Sequence, residues 1–418
     1  MGSRIQFDSE YTEPIRDPLW GNIYLSKGLK NLINTPVLQK LSRIRQLGPA
    51  YQVYPGATHT RLSHSFGVFF IAKQMIRSLL EFKAAGFLTS EGVRAFLTAA
   101  LLHDAGHFPY AHSLKELPLK SHEVLTGEII LSQPFTGQIK EWAGADPSIV
   151  AAIIDTSLSA ENNGEIPFFR KLLSGVLDPD KLDYLNRDAY FCGVPYGSQD
   201  VDFLNDQIFP VREKGIGIRE TGLPGVENIL FSKYLMYKTV YWHKTVRIAT
   251  AMIKKAVFLG LEEGLISPET LYGIDDEEFS FILSKIRHSC FSLVTSVRER
   301  FLYKSVYETP FNGEDPLHRD LCSLKSRGGK EREIAEVLSS EIKKPVPEEW
   351  IIIDIPEPIS FESEMVISEG GRLVPYMESS SVFTGPAVRI FRETLRKLRL
   401  IVHPELSGLK IPYNELLL

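Results

Sequence analysis

Apolar residues recur along this chain mostly at helical spacing. Leu29, Leu32, Ile33, Val37, Leu38, Leu41 and Ile44 predict two helices broken near Thr35-Pro36, where a proline suits a first helical turn. A turn at Tyr54-Pro55-Gly56 precedes a core helix that begins around Thr60, carries Phe66, Phe69, Phe70, Met75, Ile76 and Leu79, and is ended by Gly86. Thr89 or Ser90 caps the next helix, which runs into the almost unbroken apolar stretch 93–102. Shorter helices are expected at 122–132, 139–143 and 147–154. Asp178-Pro179 opens another, which sets Asp180, Lys181, Tyr184 and Asp188 on a shared stripe. A small hairpin around Ile216 and Ile218 leads to a long helix at about 226–263 and further helices over 277–302. From Pro310 to Gly329 proline, glycine and charge dominate, as in a linker. Beyond it come a strand at 350–355, a hairpin at 365–377 around Gly370-Gly371, and an amphipathic helix at 388–398. The pattern predicts a mainly α protein: a helical core over 1–310, with its motif-bearing part at about 50–190, a linker and helix at 311–345, and a smaller α+β region at 346–418.

Composition narrows the class without changing this picture. With 418 residues, 44% of them hydrophobic and 24% charged, the chain is neither wholly disordered nor fibrous. Its net charge of −5 contains no block of like charges, which argues against a dedicated nucleic-acid surface but allows a local basic pocket for phosphates. Three widely spaced cysteines with no C-x-x-C pair suggest neither a disulfide framework nor a thiolate zinc site, and fit a reducing compartment. The polar stretch 1–11 has no apolar signal core, and no apolar run approaches the roughly 20 residues of a membrane span. A soluble cytoplasmic protein with no membrane partner is the expectation.

The candidate chemistry begins where the apolar stretch 93–102 ends, at Leu101-Leu102-His103-Asp104-Ala105-Gly106-His107. Three polar side chains against a core would each cost roughly 1–3 kcal/mol if left without partners. A divalent cation meets that need, since imidazole and carboxylate suit zinc, iron, manganese and nickel. Of ten histidines, six (His59, His64, His103, His107, His112 and His122) fall within 59–122. Even spreading would place roughly one or two there. Single histidines such as His59, His288, His318 and His403 read as satisfied core or surface imidazoles. A hydrolytic metal site needs three or four protein ligands and an open position for water, and His64, His103, Asp104 and the distant Asp180 would supply them. Arg61, three residues before His64 on the same helix face, and Lys181, beside Asp180, add the cations that a phosphorylated substrate requires.

The spacing His64, His103-Asp104, Asp180 resembles the H…HD…D signature of HD-domain metal-dependent phosphohydrolases. YPGATHTRLSHS over 54–65, HDAGHFPYAH over 103–112, His122-Glu123 and DKLDYLNRD over 180–188 are similar to the branch containing the deoxynucleoside triphosphate triphosphohydrolases. DPLWGNIYLS over 17–26, RIRQLG over 43–48 and YLMYKTVYWHK over 234–244 extend the likeness to roughly 12–260. The resemblance implies water attack on the α-phosphorus of a deoxynucleoside triphosphate (dNTP), releasing deoxynucleoside and tripolyphosphate. It also implies a divalent metal (iron, manganese, zinc, nickel or magnesium), magnesium with the nucleotide, and a homo-oligomer, dimer or tetramer. By the same resemblance His64, His103, Asp104 and Asp180 hold the metal. His112 protonates the leaving 5′ oxygen, while His107 and His122, with Glu123 orienting, line the same pocket. Arg61 and Lys181 contact phosphate, Gln46 and Leu47 touch the sugar, Asp188 accepts from the 3′ hydroxyl, Tyr184 fills the space of a ribose 2′ hydroxyl, and Tyr241 lies near sugar and base. Lys233 stands where the family commonly has a polyphosphate-binding arginine, which keeps the charge and loses the bidentate fork. A nucleoside monophosphate or phosphodiester substrate, or a nucleotide-sensing module without turnover, are the alternatives.

Overall fold

The fold is described from a computed structural model over residues 9–161, 163–359, 365–383, 385–409 and 411–417. The N-terminal residues 1–8, part of the polar stretch read above, lie outside that set. The chain is mainly α with small sheets. An antiparallel hairpin opens it, β1 (Glu13–Asp17) and β2 (Gly21–Leu25), closed by Asp17 Oδ1 accepting from Leu19 N and Trp20 N, each at 2.9 Å. The hydrophobic pattern had no element there. The next two helices, α1 (Lys27–Ile33) and α2 (Pro36–Leu41), meet at Thr35-Pro36, with proline in the first turn of α2.

The central helices are α3 (Arg61–Leu79), α4 (Ser90–Leu102), α5 (His122–Ile130), α6 (Pro147–Ile154), α7 (Ile166–Leu173) and α8 (Pro179–Cys192). Their starts are written in the sequence as caps. Thr60 accepts from Ser63 N in a capping box, Thr89 from Gly92 N, Ser121 from Val124 N and Asp178 from Lys181 N. α3 stops at Leu79, earlier than its apolar pattern predicts, and Gly86 closes only the following single turn. Phe69, Ala72, Phe96, Ala99, Leu182 and Leu185 are buried in one cluster, so α3, α4 and α8 present their metal-type side chains from a packed core.

The hairpin β3 (Ile208–Val211) and β4 (Gly215–Arg219) leads to α9 (Leu223–Met236) and α10 (Lys244–Glu262). The single long helix expected at 226–263 is thus broken. Tyr237–Tyr241 widens into a π-turn, and His243 caps α10 by accepting from Thr245 N. Next come α11 (Asp276–Lys285), α12 (Ser292–Arg298), β5 (Lys304–Pro310) and α13 (Leu324–Ile342). The linker expected as far as Gly329 ends sooner, because Gly328 and Gly329 lie inside α13.

The last stretch holds β6 (Ile351–Asp354), the hairpin β7 (Val366–Glu369) and β8 (Arg372–Pro375), α14 (Gly385–Leu395) and β9 (Lys397–Val402). The helix expected to reach Leu398 stops at Leu395, and the β-rich run KLRLIV forms a strand instead. β7 pairs in parallel with β4, giving the order β3-β4-β7-β8, and β9 lies between β5 and β6 in an antiparallel sheet. Among the described residues no helix is long and apolar enough to cross a membrane.

Candidate metal centre and its pocket

α3 begins at Arg61, so Arg61 and His64 share a face of its first turns; they are 4% and 1% exposed. α4 ends at Leu102, and the chain then turns sharply, His107 N donating to Asp104 O at 2.9 Å. Gly106 N donates to Thr126 Oγ1 at 2.8 Å, and the same hydroxyl donates to His122 O at 2.7 Å. A Cβ on Gly106 would collide with His122 O and Thr126 N, so glycine is what lets this turn lie against α5. From below, the buried Lys40 ammonium donates to the carbonyls of His107 (2.9 Å) and Ala105 (3.2 Å).

The turn brings His103 to His64 and to Asp180, which lies in the first turn of α8. Donor atoms of these three lie within 4.8 Å of one another. His64 Nε2 is 2.9 Å from Asp180 Oδ1, and His103 Nε2 is 3.8 Å from the same oxygen. His103 Nδ1 donates to Ala100 O at 3.0 Å, and its buried Nε2 has no hydrogen-bond partner among the described residues. Such an orphaned imidazole nitrogen beside a carboxylate fits a metal ligand. Asp104 sits at the margin of this trio: Oδ1 lies 3.3 Å from His103 Nε2 and 3.0 Å from His107 Nδ1, and Oδ2 accepts from Arg61 Nη1 at 2.8 Å.

Electrostatics agree with a cation site. Burial disfavours a charged His64, but bonds to Asp180 and Asp183 outweigh it and raise its pKa to about 10. Burial likewise opposes ionisation of Asp104, which His107, His103 and Arg61 nonetheless hold well below the usual carboxylate range. The negative field that would retain a proton on His64 is equally suited to a divalent ion.

One residue of the centre is absent from the motif. Asp183 Oδ2 accepts from His64 Nδ1 at 2.8 Å and from Arg187 Nε at 2.8 Å, while Oδ1 accepts from Trp20 Nε1 at 2.5 Å. Arg187 in turn donates to Asp17 Oδ2 at 2.8 Å. The DPLWG stretch thus buttresses the aspartate that aims His64. Its position three residues after Asp180 was the available signal.

His107, His112 and His122 form a second group whose ring atoms also lie within 4.8 Å. Tyr110, in the left-handed region at φ 60°, redirects the chain into the single turn Ala111–Leu114 that carries His112. His107 Nε2 is 3.2 Å from His112 Nε2, the His107 and His122 ring centroids are 3.8 Å apart, and His122 Nε2 is 3.3 Å from Glu123 Oε1. Burial pushes the pKa of all three well down, and neighbouring cations add to the shift.

Both groups open on one pocket of about 840 Å³. His64, His103, Asp104, Asp180, His112, His122 and Glu123 line it, as do Gln46, Leu47, Arg61, Lys181, Tyr184, Asp188, Lys233 and Tyr241. His107, expected to face the substrate, is instead fully buried behind His112. Lys181 Nζ is held by Gly175 O at 2.7 Å and Asp178 Oδ2 at 2.8 Å. Asp188 is engaged on both oxygens, by His59 Nε2 at 2.8 Å and by the hydroxyl of Tyr241 at 2.6 Å. His59 is therefore a core imidazole, stacked on Phe191 with centroids 4.6 Å apart. Arg45, inside the RIRQLG stretch but given no role there, also lines the pocket, as do Lys115, Arg247, Lys254 and Glu357, which lie in none of the motifs.

The sequence profile of the HD domain matches residues 61–159, and that of the HD associated region matches 207–398. An uncharacterized protein of Methanocaldococcus jannaschii is 32% identical over 325 residues, covering 75% of this chain and 65% of that protein. The deoxynucleoside triphosphate triphosphohydrolase SAMHD1 of Danio rerio is 25% identical over 291 residues, covering 59% of this chain and 45% of the enzyme. The chain thus spans less than two thirds of the length of either relative. The crystal structure of a phosphohydrolase from Bacteroides thetaiotaomicron shares the fold, with a TM-score of 0.71 at 23% identity, over 93% of this chain and 99% of that one. With the His103-Asp104 pair inside the matched domain and the associated region following it, the chain belongs to the HD-domain phosphohydrolases.

Proposed function

We propose that this protein hydrolyses dNTPs to deoxynucleoside and tripolyphosphate. The observation that carries this reading is the single pocket of about 840 Å³ shared by the metal-type cluster, the histidine group and a tyrosine-lined wall. Similarity to SAMHD1 points the same way. His64, His103, Asp104 and Asp180 would hold the divalent ion. Such an ion supplies an acidified water and screens phosphate charge.

The chain's own groups account for the rest. Arg61, already 2.8 Å from Asp104, places a fixed positive charge at the cluster and meets the phosphate oxygens as their charge grows, with Lys181 and Lys233 beside it. As the α-phosphorus parts from the 5′ oxygen, His112 gives that oxygen its proton. His107, 3.2 Å behind it, fixes the ring, and His122 with Glu123 completes the wall. The polyphosphate's negative charge raises the affinity of His112 for that proton when substrate is bound. Gln46 and Leu47 touch the sugar, Tyr184 denies space to a 2′ hydroxyl, and Asp188 exchanges one of its present bonds for the 3′ hydroxyl. The nucleotide arrives with magnesium, and the enzyme works as a homo-oligomer.

Purified protein with manganese or magnesium should release tripolyphosphate from dNTPs; release of orthophosphate or pyrophosphate alone rejects the reading. A nucleoside monophosphate substrate is the second reading, favoured by the hold of Asp178 and Gly175 on Lys181, which leaves less of that ammonium for a polyphosphate tail. Faster turnover of monophosphates than of triphosphates would decide for it.

A further inference from the structure

The two halves of the site rest on different cores. His64 and Asp180 stand on α3 and α8 and His103 at the end of α4, and these helices pack together through Phe69, Phe96 and Leu182. Past the metal turn the packing changes partners. Ala111, Leu114 and Leu117, which flank His112, are buried in a second cluster with Ala249 and Ile253 of α10 and Phe279 of α11. Local hydrogen bonds tie the His112 stretch into one piece: Ser113 N and Leu114 N both donate to Tyr110 O, at 2.7 and 3.1 Å, and Leu117 N donates to Leu114 O at 2.9 Å. The distance of His112 from the metal ligands therefore depends on how that piece is held against α10.

Apolar packing is not directional, so it does not fix that distance by itself. A charged contact on the same piece does. Glu116, four residues after His112, accepts through Oε2 from Lys254 Nζ of α10 at 2.5 Å and through Oε1 from Arg327 Nη2 of α13 at 2.6 Å. Lys254 and Arg327 are both buried, and Arg327 Nη2 is held from the other side by Cys322 O at 3.3 Å. Burial opposes ionisation of Glu116, but the two cations outweigh it and hold the carboxyl below its usual value. A carboxylate shared by two buried cations has little freedom of position, because a displacement leaves a buried charge without its partner. Glu116 lies in the matched HD domain, whereas α10 and α13 lie in the associated region.

We propose that Glu116 is a positioning residue: by tying the His112 stretch to Lys254 and Arg327, it lets the associated region set where the proton donor stands relative to the metal ligands. The inference rests on the reading above, in which His112 protonates the 5′ oxygen. Glu116 is not part of the pocket wall and acts through His112. Its effect therefore falls on the one event in which His112 takes part, delivery of a proton to the leaving oxygen as the bond from phosphorus to that oxygen breaks. An alkoxide leaves poorly without that proton, whereas a thiolate, whose thiol has a pKa of about 8.5, leaves without it.

The test compares metal-loaded wild type, Glu116→Gln, Arg327→Met and His112→Ala on a dNTP and on its analogue with sulfur in place of the 5′ oxygen. Metal content and melting temperature are measured beside turnover. Glu116→Gln keeps the shape and an acceptor oxygen but removes the charge that holds both cations. Its kcat on the oxygen substrate should fall about 10–100-fold, the scale of a group misplaced by about 1 Å, with KM and metal content close to wild type. On the sulfur substrate it should run at the wild-type rate, as should His112→Ala. Arg327→Met cuts the same tie from the α13 side without touching the His112 stretch, and it should show the same split between the two substrates. In either tie variant, equal losses on both substrates, no loss on either, or loss of metal overturns the inference and leaves dNTP hydrolysis standing. Equal losses in His112→Ala overturn the assignment of the proton donor and this inference with it. A wild type that cleaves no dNTP overturns the functional reading itself.

Discussion

Asp183 Oδ2 accepts a hydrogen bond from His64 Nδ1 at 2.8 Å and so aims the opposite ring nitrogen into the cluster with His103 and Asp180. It is itself clamped by Arg187 and Trp20. Asp183→Asn keeps the shape but removes the charge that fixes the tautomer and answers Arg187. Metal affinity should fall about 10–100-fold, the usual effect of losing a carboxylate behind a ligating histidine. Chelator competition on the loaded protein measures it; an unchanged affinity would show that His64 is not held this way for a metal.

Asp104→Ala should abolish both metal content and turnover while helical content persists. Its carboxylate stands between His103, His107 and the Arg61 guanidinium, so the variant also leaves Arg61 buried without its partner. That adds a stability loss of about 3–5 kcal/mol. Elemental analysis decides the first part: metal retained at wild-type stoichiometry would show that Asp104 serves Arg61 and not the ion.

Gly106→Ala tests whether the close seating of the HD turn on α5 matters. The added methyl would meet His122 O and Thr126 N, both backbone, which cannot swing aside. Either the turn or α5 must shift, moving His103 and Asp104 relative to His122. A misplacement near 1 Å can cost on the order of 100-fold in rate. Turnover in Gly106→Ala should drop by about that factor, with a lower melting temperature. Wild-type rates would mean the turn has slack that its contacts do not suggest.

What the sequence made legible divides by how locally a role is encoded. The caps at Thr60, Thr89 and Asp178 act within one turn, and each helix starts where they stand. His103 and Asp104 are readable because polar groups at the end of an apolar run need an explanation within a few residues. Asp183 was not readable alone, because its partner Trp20 lies 163 positions away and meets it only once the hairpin packs on the core. The break after Tyr241 was hidden by uninterrupted hydrophobicity, which says nothing of a cap such as His243. The pairing of β7 with β4 likewise joins segments almost 150 residues apart, and two strand-like runs carry no label for their neighbour. Glu357 belongs with these: only tertiary folding brings it to the pocket.

Lys40 offers a test of the support beneath the metal turn through pH. Burial, followed by the charge of Arg61, lowers its ammonium from 10.5 to about 8, although it donates to the carbonyls of Ala105 and His107. Below pH 8 both folded and unfolded chains carry this proton, and the fold bears the whole expense of burying the charge. Between about 8 and 10.5 the unfolded chain still holds the proton while the folded one sheds it. The unfolded state then binds more protons, so this group's contribution to stability rises with pH. The full rise across that window is roughly 3 kcal/mol. Lys40→Met lacks the titration, so the stability of wild type minus that of the variant, from denaturant unfolding at pH 7.5 and 9.5 in the same metal, should increase toward the higher pH. A difference that stays flat or falls would mean that Lys40 keeps an ordinary pKa and that its ammonium is not confined under the turn as the two carbonyl contacts require.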